Sequence, residues 1–290
     1  MDKFRVFFMT TTQNLLTNRI KPAVKWPGGK SRHLHRLLPL IPPHGCYVEV
    51  FAGGLALLLA KPRSQLEVVN DLNGELVNFY RVVKFHLDAL PQELDWYLNA
   101  RQTFHETRQH PGLTDVQRAA RYFIRLHLSY GSMGHSFGVR GARASLRNKL
   151  QTIEAVHERL DKVIIENLDW KRCVDLYDRP DTFFFFDPPY TVCSIDLYDA
   201  WGAKEMTELA ARLKTLRGTW LLTVDDSKIC RKAFAEHRLR KISMRNGIPI
   251  VRGEHRVEFR ELLITPRKVR RAQPNKPVIM KPNMKLFGNN

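Results

Sequence analysis

Several stretches of the chain are apolar without alternation, and each is short. They lie at residues 47–51, at 66–69, in the run FFFF at 183–186, and in WLLTV from Trp220. A continuous apolar run of about four to eight residues reads as a strand buried on both faces, as in a parallel sheet covered by helices. The first is followed by a glycine turn and a helix opening near Leu55. After the second, Asp71 and Asn73 cap a turn, and Leu76, Phe79 and Val83 recur at helical spacing from Glu75. Strand, helix, strand, helix within about 40 residues predicts a βαβ unit and hence a parallel sheet.

The pattern changes from about residue 85 to 150. AARYFIRLHLSYGS predicts an amphipathic helix, and MGHSFGVRGARASLRNKL a glycine- and arginine-rich loop or hairpin. The sheet pattern returns with KVIIENLDW, DTFFFFDPPY, a helix over 204–217, TWLLTVDD and VEFRELLIT. The expected organisation is a polar lead-in (1–20), a doubly wound α/β domain (21–84 and 150–266), a basic, mainly helical insertion (85–149) and a flexible tail (267–290). The tail has three prolines and no acid.

Charge sharpens this division. The 290 residues carry a formal net charge of +18, but residues 150–266 balance at 19 basic and 19 acidic side chains. Residues 101–149 carry nine basic and two acidic groups, and 267–290 carry seven basic groups and no acid. Fourteen of the excess charges therefore sit in one internal segment and the tail. A polyanionic partner, nucleic acid above all, accounts for that concentration directly. No apolar run approaches the roughly 18–20 residues a membrane span needs, and the first residues lack a secretory cleavage pattern. The four cysteines are far apart, which predicts reduced thiols in a cytoplasm and neither a disulfide framework nor a zinc site. His33 and His35 would point to different faces of a helix, so no metal pair is expected there.

Candidate chemistry gathers where the apolar runs stop. Pro188 and Pro189 lack N–H donors and end strand pairing, so Asp187 and Tyr190 are held at the carboxyl end of a buried strand. In open α/β sheets ligands bind at that edge. A carboxylate beside a rigid proline carbonyl suits a primary amine held by both hydrogens, and Tyr190 offers a face for a planar base. PGGKS at 27–31 has Val24 where a P-loop needs glycine, which argues against a nucleotide triphosphatase. Lys30 could instead meet a carboxylate. EVFAGG is a glycine turn at a helix start, and Asp71, ending the next strand, could accept hydrogen bonds from ribose hydroxyls. Together they describe a nucleoside-cofactor pocket.

The ordered set KWPGGK, YVEVFAGG, NDLN, ENLDW, DPPY and ELLIT resembles the Dam-type (D12 class) DNA adenine-N6 methyltransferases, many of them phage- or prophage-borne. The resemblance spans about residues 21–266. It implies a Rossmann-like methyltransferase fold, S-adenosylmethionine as cofactor, and double-stranded DNA as partner, with no membrane and no metal. It also implies a bacterial or phage-infected cytoplasm and favours a monomer. By the same resemblance, Trp26, Lys30, Phe51, Gly53, Asp71, Asp169 and Asp187 contact the cofactor, and Asp187, Pro188, Pro189 and Tyr190 form the catalytic motif. Tyr130, Phe137, Arg140, Arg143, Arg147 and Lys149, in the insertion, are the expected DNA contacts. Val50 and Leu55 depart from the family's E-P-F-x-G-x-G turn. Cytosine N4, an RNA base or a protein glutamine is an alternative target, although Asp187 favours adenine. A non-catalytic DNA-binding protein of the same fold is the other reading.

Overall fold

The computed structural model describes residues 19–132, 134–138, 147–191, 201–245 and 258–267. Short 3-10 turns at Lys30–Arg32 and Leu38–Leu40 flank α1 (Leu34–Leu37). β1 (Cys46–Glu49), α2 (Ala56–Ala60), β2 (Leu66–Asn70) and α3 (Gly74–Phe85) form the expected βαβ unit and its following helix. The insertion holds α4 (Ala89–Leu94), α5 (Arg101–Gln109) and α6 (Asp115–Leu128), and α7 (Arg147–Leu160) leads back to the sheet. Then come β3 (Val163–Glu166), α8 (Trp170–Tyr177), β4 (Thr182–Phe186), α9 (Ala203–Thr215) and β5 (Thr219–Asp225). α10 (Lys228–Ala233), β6 (Arg238–Arg245) and β7 (Glu258–Thr265) complete the described elements.

The sheet has seven strands in the order β3-β2-β1-β4-β5-β7-β6. β1 to β5 pair in parallel, and β7 runs antiparallel to both β5 and β6. Winding proceeds from β1 outward through β2 and β3, and from β4 outward through β5. The β1–β4 boundary is therefore the topological switch point, where open α/β sheets bind ligands. β6 is an addition to the sequence reading, because RLRKISMR alternates charge with single apolar residues and has no apolar run.

Four phenylalanines in succession divide between two cores. Phe183 and Phe185 join the apolar side of α1, α2, α3 and α7, while Phe184 and Phe186 join that of α8, α9 and α10. All four are buried, as burial on both faces of a parallel strand requires. The insertion shares the first of these cores through Leu90, Phe104, Phe123 and Leu128. The loop after α6 closes with a bridge between Ser129 and Phe137. From Arg147 onward the segment read as loop or hairpin is helical, because Ile153, Val156 and Leu160 bury one face of α7 in the first core, beside α3. The boundary expected at 149/150 thus falls inside α7.

Leu55 explains how one departure from the family turn is tolerated. Its backbone is left-handed (φ 57°, ψ 25°), the conformation glycine adopts freely, yet its side chain is fully buried. Left-handed backbone costs a non-glycine residue roughly 1–2 kcal/mol, whereas a buried leucine contributes about 2–5 kcal/mol on truncation. Packing wins. Leu55→Gly should therefore relax the backbone and still lower unfolding stability, by about 1–3 kcal/mol, as read from the urea midpoint. A more stable variant would show that strain outweighs packing at this turn.

Candidate active site

Three loops meet at the carboxyl ends of β1, β2 and β3, and polar side chains tie them together. Asn70, at the end of β2, donates to the carbonyls of Val50 (3.0 Å) and Leu168 (3.1 Å) and accepts from Leu168 N (2.9 Å). Asn167 donates to the Asp71 carbonyl at 2.7 Å. Asp71 is buried, and its two oxygens accept from Gly53 N (3.0 Å) and Asn73 N (2.9 Å). The cap of α3 is Asn73, whose side chain accepts from Glu75 N and Leu76 N. Asp71 is thus the brace between the two turns.

Glycine at 53 has a steric reason. Its φ is 46°, and a Cβ there would lie 2.8 Å from Trp26 Cδ1. Tyr80 donates its hydroxyl to the Gly53 carbonyl at 2.6 Å, which fixes the turn from below. Trp26, Gly53 and Asp71 are therefore contiguous. Phe51 packs edge-on against Trp201, with ring centroids 5.3 Å apart, and Trp201 in turn lies beside Trp170. Trp201 was not among the expected residues, since WGAK carries no pattern beyond a helix start. Asp169 is exposed and caps α8 by accepting from Lys171 N at 2.9 Å.

Across the switch point, Asp187 follows the last residue of β4. Three donors converge on its Oδ1: Lys30 Nζ at 2.8 Å, Thr223 Oγ1 at 2.7 Å and, at the limit of hydrogen bonding, the Tyr190 hydroxyl at 3.5 Å. Asp187 Oδ2 has no hydrogen-bond or ion-pair partner among the described residues. The Lys30 side chain is 3% exposed and that of Asp187 19%, so the ammonium is enclosed and the carboxylate opens toward solvent. Lys30 also donates to the Gly28 carbonyl at 2.6 Å and sits 5.0 Å from the centroid of the Tyr190 ring. Burial, then the charges of Asp187 and Glu261, push the Tyr190 phenol well above its usual range, so it remains a donor near neutrality. The far end of the corner is clamped too: Thr191 gives its N–H and its hydroxyl to Asp225, each at 2.8 Å. β5 therefore grips D-P-P-Y-T at both ends, through Thr223 and Asp225. Neither residue was among those expected from the sequence.

Arg140 and Arg143 lie outside the described residues, as does the tail beyond Arg267. Arg147 is the first residue of α7. Tyr130 is exposed, whereas Phe137 is half-buried, edge-on to Phe104 and under the Arg101 guanidinium at 4.7 Å. Lys149 is held below its usual range by burial and then by Lys25 and Lys21, so three cations share one neighbourhood. Among the described residues no group of three or more His, Cys, Asp or Glu could hold a metal ion, and no helix is long and apolar enough to cross a membrane.

A doubly wound sheet of this order, with β7 reversed and an Asp-Pro-Pro-Tyr corner at its switch point, fits the methyltransferase fold. The model of the D12 class N6 adenine-specific DNA methyltransferases matches residues 26–247, and the chain belongs to that family. It is similar to the Type II methyltransferase M.CviBI of Paramecium bursaria Chlorella virus NC1A, with 28% identity over 74% of this chain and 86% of the relative. Type II methyltransferase M1.LlaDCHI of Lactococcus lactis subsp. cremoris is 25% identical over 85% of this chain and 95% of its own. The DNA adenine methylase of Haemophilus influenzae is 20% identical over 84% and 92%. The protein is thus an adenine-specific DNA methyltransferase, of a class that in general uses S-adenosylmethionine.

Thr223→Val keeps the shape of a fully buried side chain and removes one donor from Asp187. A hydrogen bond to a charged group contributes about 1.5–3 kcal/mol, so the methylation rate should fall roughly 10-fold or more while the fold is kept. An unchanged initial rate on duplex DNA would remove Thr223 from the machinery.

Proposed function

We propose that the enzyme binds S-adenosylmethionine over the β1 and β2 loops and methylates N6 of an adenine turned out of the duplex and held at Asp187. The observation that carries this reading is the unequal use of the Asp187 carboxylate: among the described residues Oδ1 has three donors and Oδ2 none. The residues present fit the cofactor. Trp26 and Phe51 supply aromatic surface, Gly53 is a backbone cradle that a Cβ would fill, and Asp71 is the acid assigned to the ribose. Asp169 and Lys30 complete the assigned cofactor side. When bound, the cofactor supplies an electrophilic methyl group.

An exocyclic adenine amine is a poor nucleophile because its lone pair is conjugated with the ring. Asp187 Oδ2 and the Pro188 carbonyl accept its two hydrogens, which draws the nitrogen toward tetrahedral geometry and aims the lone pair at the methyl. The rate gain then comes from positioning and electrostatics, without a covalent enzyme intermediate. Pro189 stiffens the corner, and Tyr190 flanks the flipped base. Lys30 and Thr223 hold the carboxylate in register by occupying its other oxygen. The insertion and the tail supply the DNA contacts. Arg140, Arg143 and Arg147 are assigned to base edges and phosphates, Tyr130 and Phe137 to the gap left by the flipped base, and Lys149 with Lys21 and Lys25 to phosphates.

Asp187→Ala should lower turnover at least about 100-fold, the size of removing one positioned catalytic group, with cofactor binding by calorimetry weakened less. Sequencing of modified bases in DNA from cells expressing the wild-type and variant chains is the direct test. N6-methyladenine made equally by both would end this reading.

Lys149→Ala should weaken binding to all duplexes alike. The slope of log K against log salt should fall by about 0.9, the value for one phosphate contact. A changed methylation sequence with an unchanged slope would assign Lys149 to base readout.

A further inference from the structure

Glu261 lies on β7, opposite Asp225 of β5 and Ile242 of β6, and its side chain is 5% exposed. A carboxylate enclosed to that degree is costly unless it is paired and hydrogen-bonded. It faces Lys30, with Oε1 4.0 Å from Nζ, and, after burial and Asp187, its charge helps to push the Tyr190 phenol up. His33 lies on its other side, with Nε2 3.6 Å from Oε2, and among the described residues neither of those two atoms has a hydrogen-bond partner. Burial, and then Lys30, push the His33 imidazole down to about 4, so it is neutral at pH 7 and brings no compensating charge. One ammonium therefore stands between two acids, Asp187 and Glu261. It touches the first and is only drawn toward the second.

We infer that Glu261 is a positioning residue for methyl transfer, holding the Lys30 ammonium and the Tyr190 hydroxyl away from Asp187 Oδ2 so that this oxygen stays open to the amine. The reading rests on the proposed function. Two of the three N–H groups of Lys30 have acceptors in Asp187 Oδ1 and Gly28 O. An ammonium free to move would bridge both oxygens of Asp187, because that arrangement gains a second charge-assisted bond. Glu261 lies near the remaining N–H and opposes that swing by Coulomb attraction, which is strong at about 4 Å in an enclosed site. Tyr190 obeys the same logic. Its hydroxyl lies 3.5 Å from Asp187 Oδ1 and within the field of Glu261, and without the second acid it can turn wholly to the first.

A pH dependence follows from this geometry. The titratable groups facing Glu261 are Lys30, His33, Asp187, Tyr190 and Asp225. Burial, with Asp187 adding to it against Lys30, holds the Glu261 carboxyl above its usual range. The positioning charge is present above that raised value and lost as pH falls through it. The single-turnover rate should therefore decline on the acid side at a higher pH than an ordinary carboxylate gives.

The test is the single-turnover rate of methyl transfer from radiolabelled S-adenosylmethionine to unmethylated duplex DNA by the full chain, followed across pH 5–9. Glu261→Gln keeps size and hydrogen bonding and removes the charge. It should lower the rate at least about 10-fold, leave cofactor and DNA dissociation constants within about threefold, and abolish the acid limb. Glu261→Asp should keep the limb at an intermediate rate. Wild-type rate and limb in Glu261→Gln overturn the inference, as does a wild-type profile with no acid limb above the ordinary carboxylate range. Loss of cofactor and DNA binding together with the rate in Glu261→Gln would mark a merely structural role and overturn it equally. A wild-type chain that methylates no adenine in the same assay rejects the proposed function instead, so the two failures are distinct.

Discussion

An acid at the end of a buried strand can remain there only if its charge is answered, and the contact between Lys30 and Asp187 answers it. The pair is asymmetric: the ammonium is enclosed and the carboxylate opens on one side. Enclosing two charges is expensive, and their attraction offsets the cost only when further hydrogen bonds satisfy the remaining donors and acceptors. Here Gly28 O takes a second donor of Lys30, and Thr223 gives a second donor to Asp187. Those bonds come from three places: the turn before α1, the end of β4 and the middle of β5. The pair therefore forms only when the sheet has closed across its switch point, and the fold and the site are one condition.

The two sides of the crevice are built by different means. On the β1–β2 side, Asn70, Asn167 and Asp71 bond mainly to backbone, so loop positions are fixed through backbone groups. Backbone amides locked in this way give a rigid surface that admits a ligand closely, above all at Gly53. On the β4–β5 side the bonds run between side chains and carry charge. Side-chain networks in an enclosed site are strong when complete and costly when broken. The first arrangement suits recognition of a molecule that must bind and leave, and the second suits holding one atom at a fixed place.

Legibility in the sequence divided along the same line. The strands β1, β2, β4 and β5 were readable because burial on both faces leaves continuous apolar runs. D-P-P-Y was readable because two prolines after such a run have few structural uses. Glu261, Thr223 and Asp225 were not. Each sits at a strand position whose neighbours look like ordinary strand residues, and each meets the D-P-P-Y corner only through the register of β4 with β5 and of β5 with β7. Thr223 is 36 residues from Asp187 in sequence, so no local pattern connects them. β6 was hidden for another reason. Its alternating charges give neither an apolar run nor a helical stripe.

The antiparallel β7 brings Glu261 to this edge from inside a strand. Parallel strands deliver their carboxyl ends to the crevice, and the residues beyond those ends form its loops. A reversed strand delivers its amino-terminal half, so a residue well inside the strand, and buried with it, lies level with the loops of the others. Glu261 occupies such a place: it pairs with Asp225, the last residue of β5, while the strand continues past it to Thr265. Backbone pairing with β5 on one side and β6 on the other fixes where its side chain begins. The reversal thus supplies the crevice with a carboxylate from well inside a paired strand, beside the lysine that holds a single oxygen of Asp187.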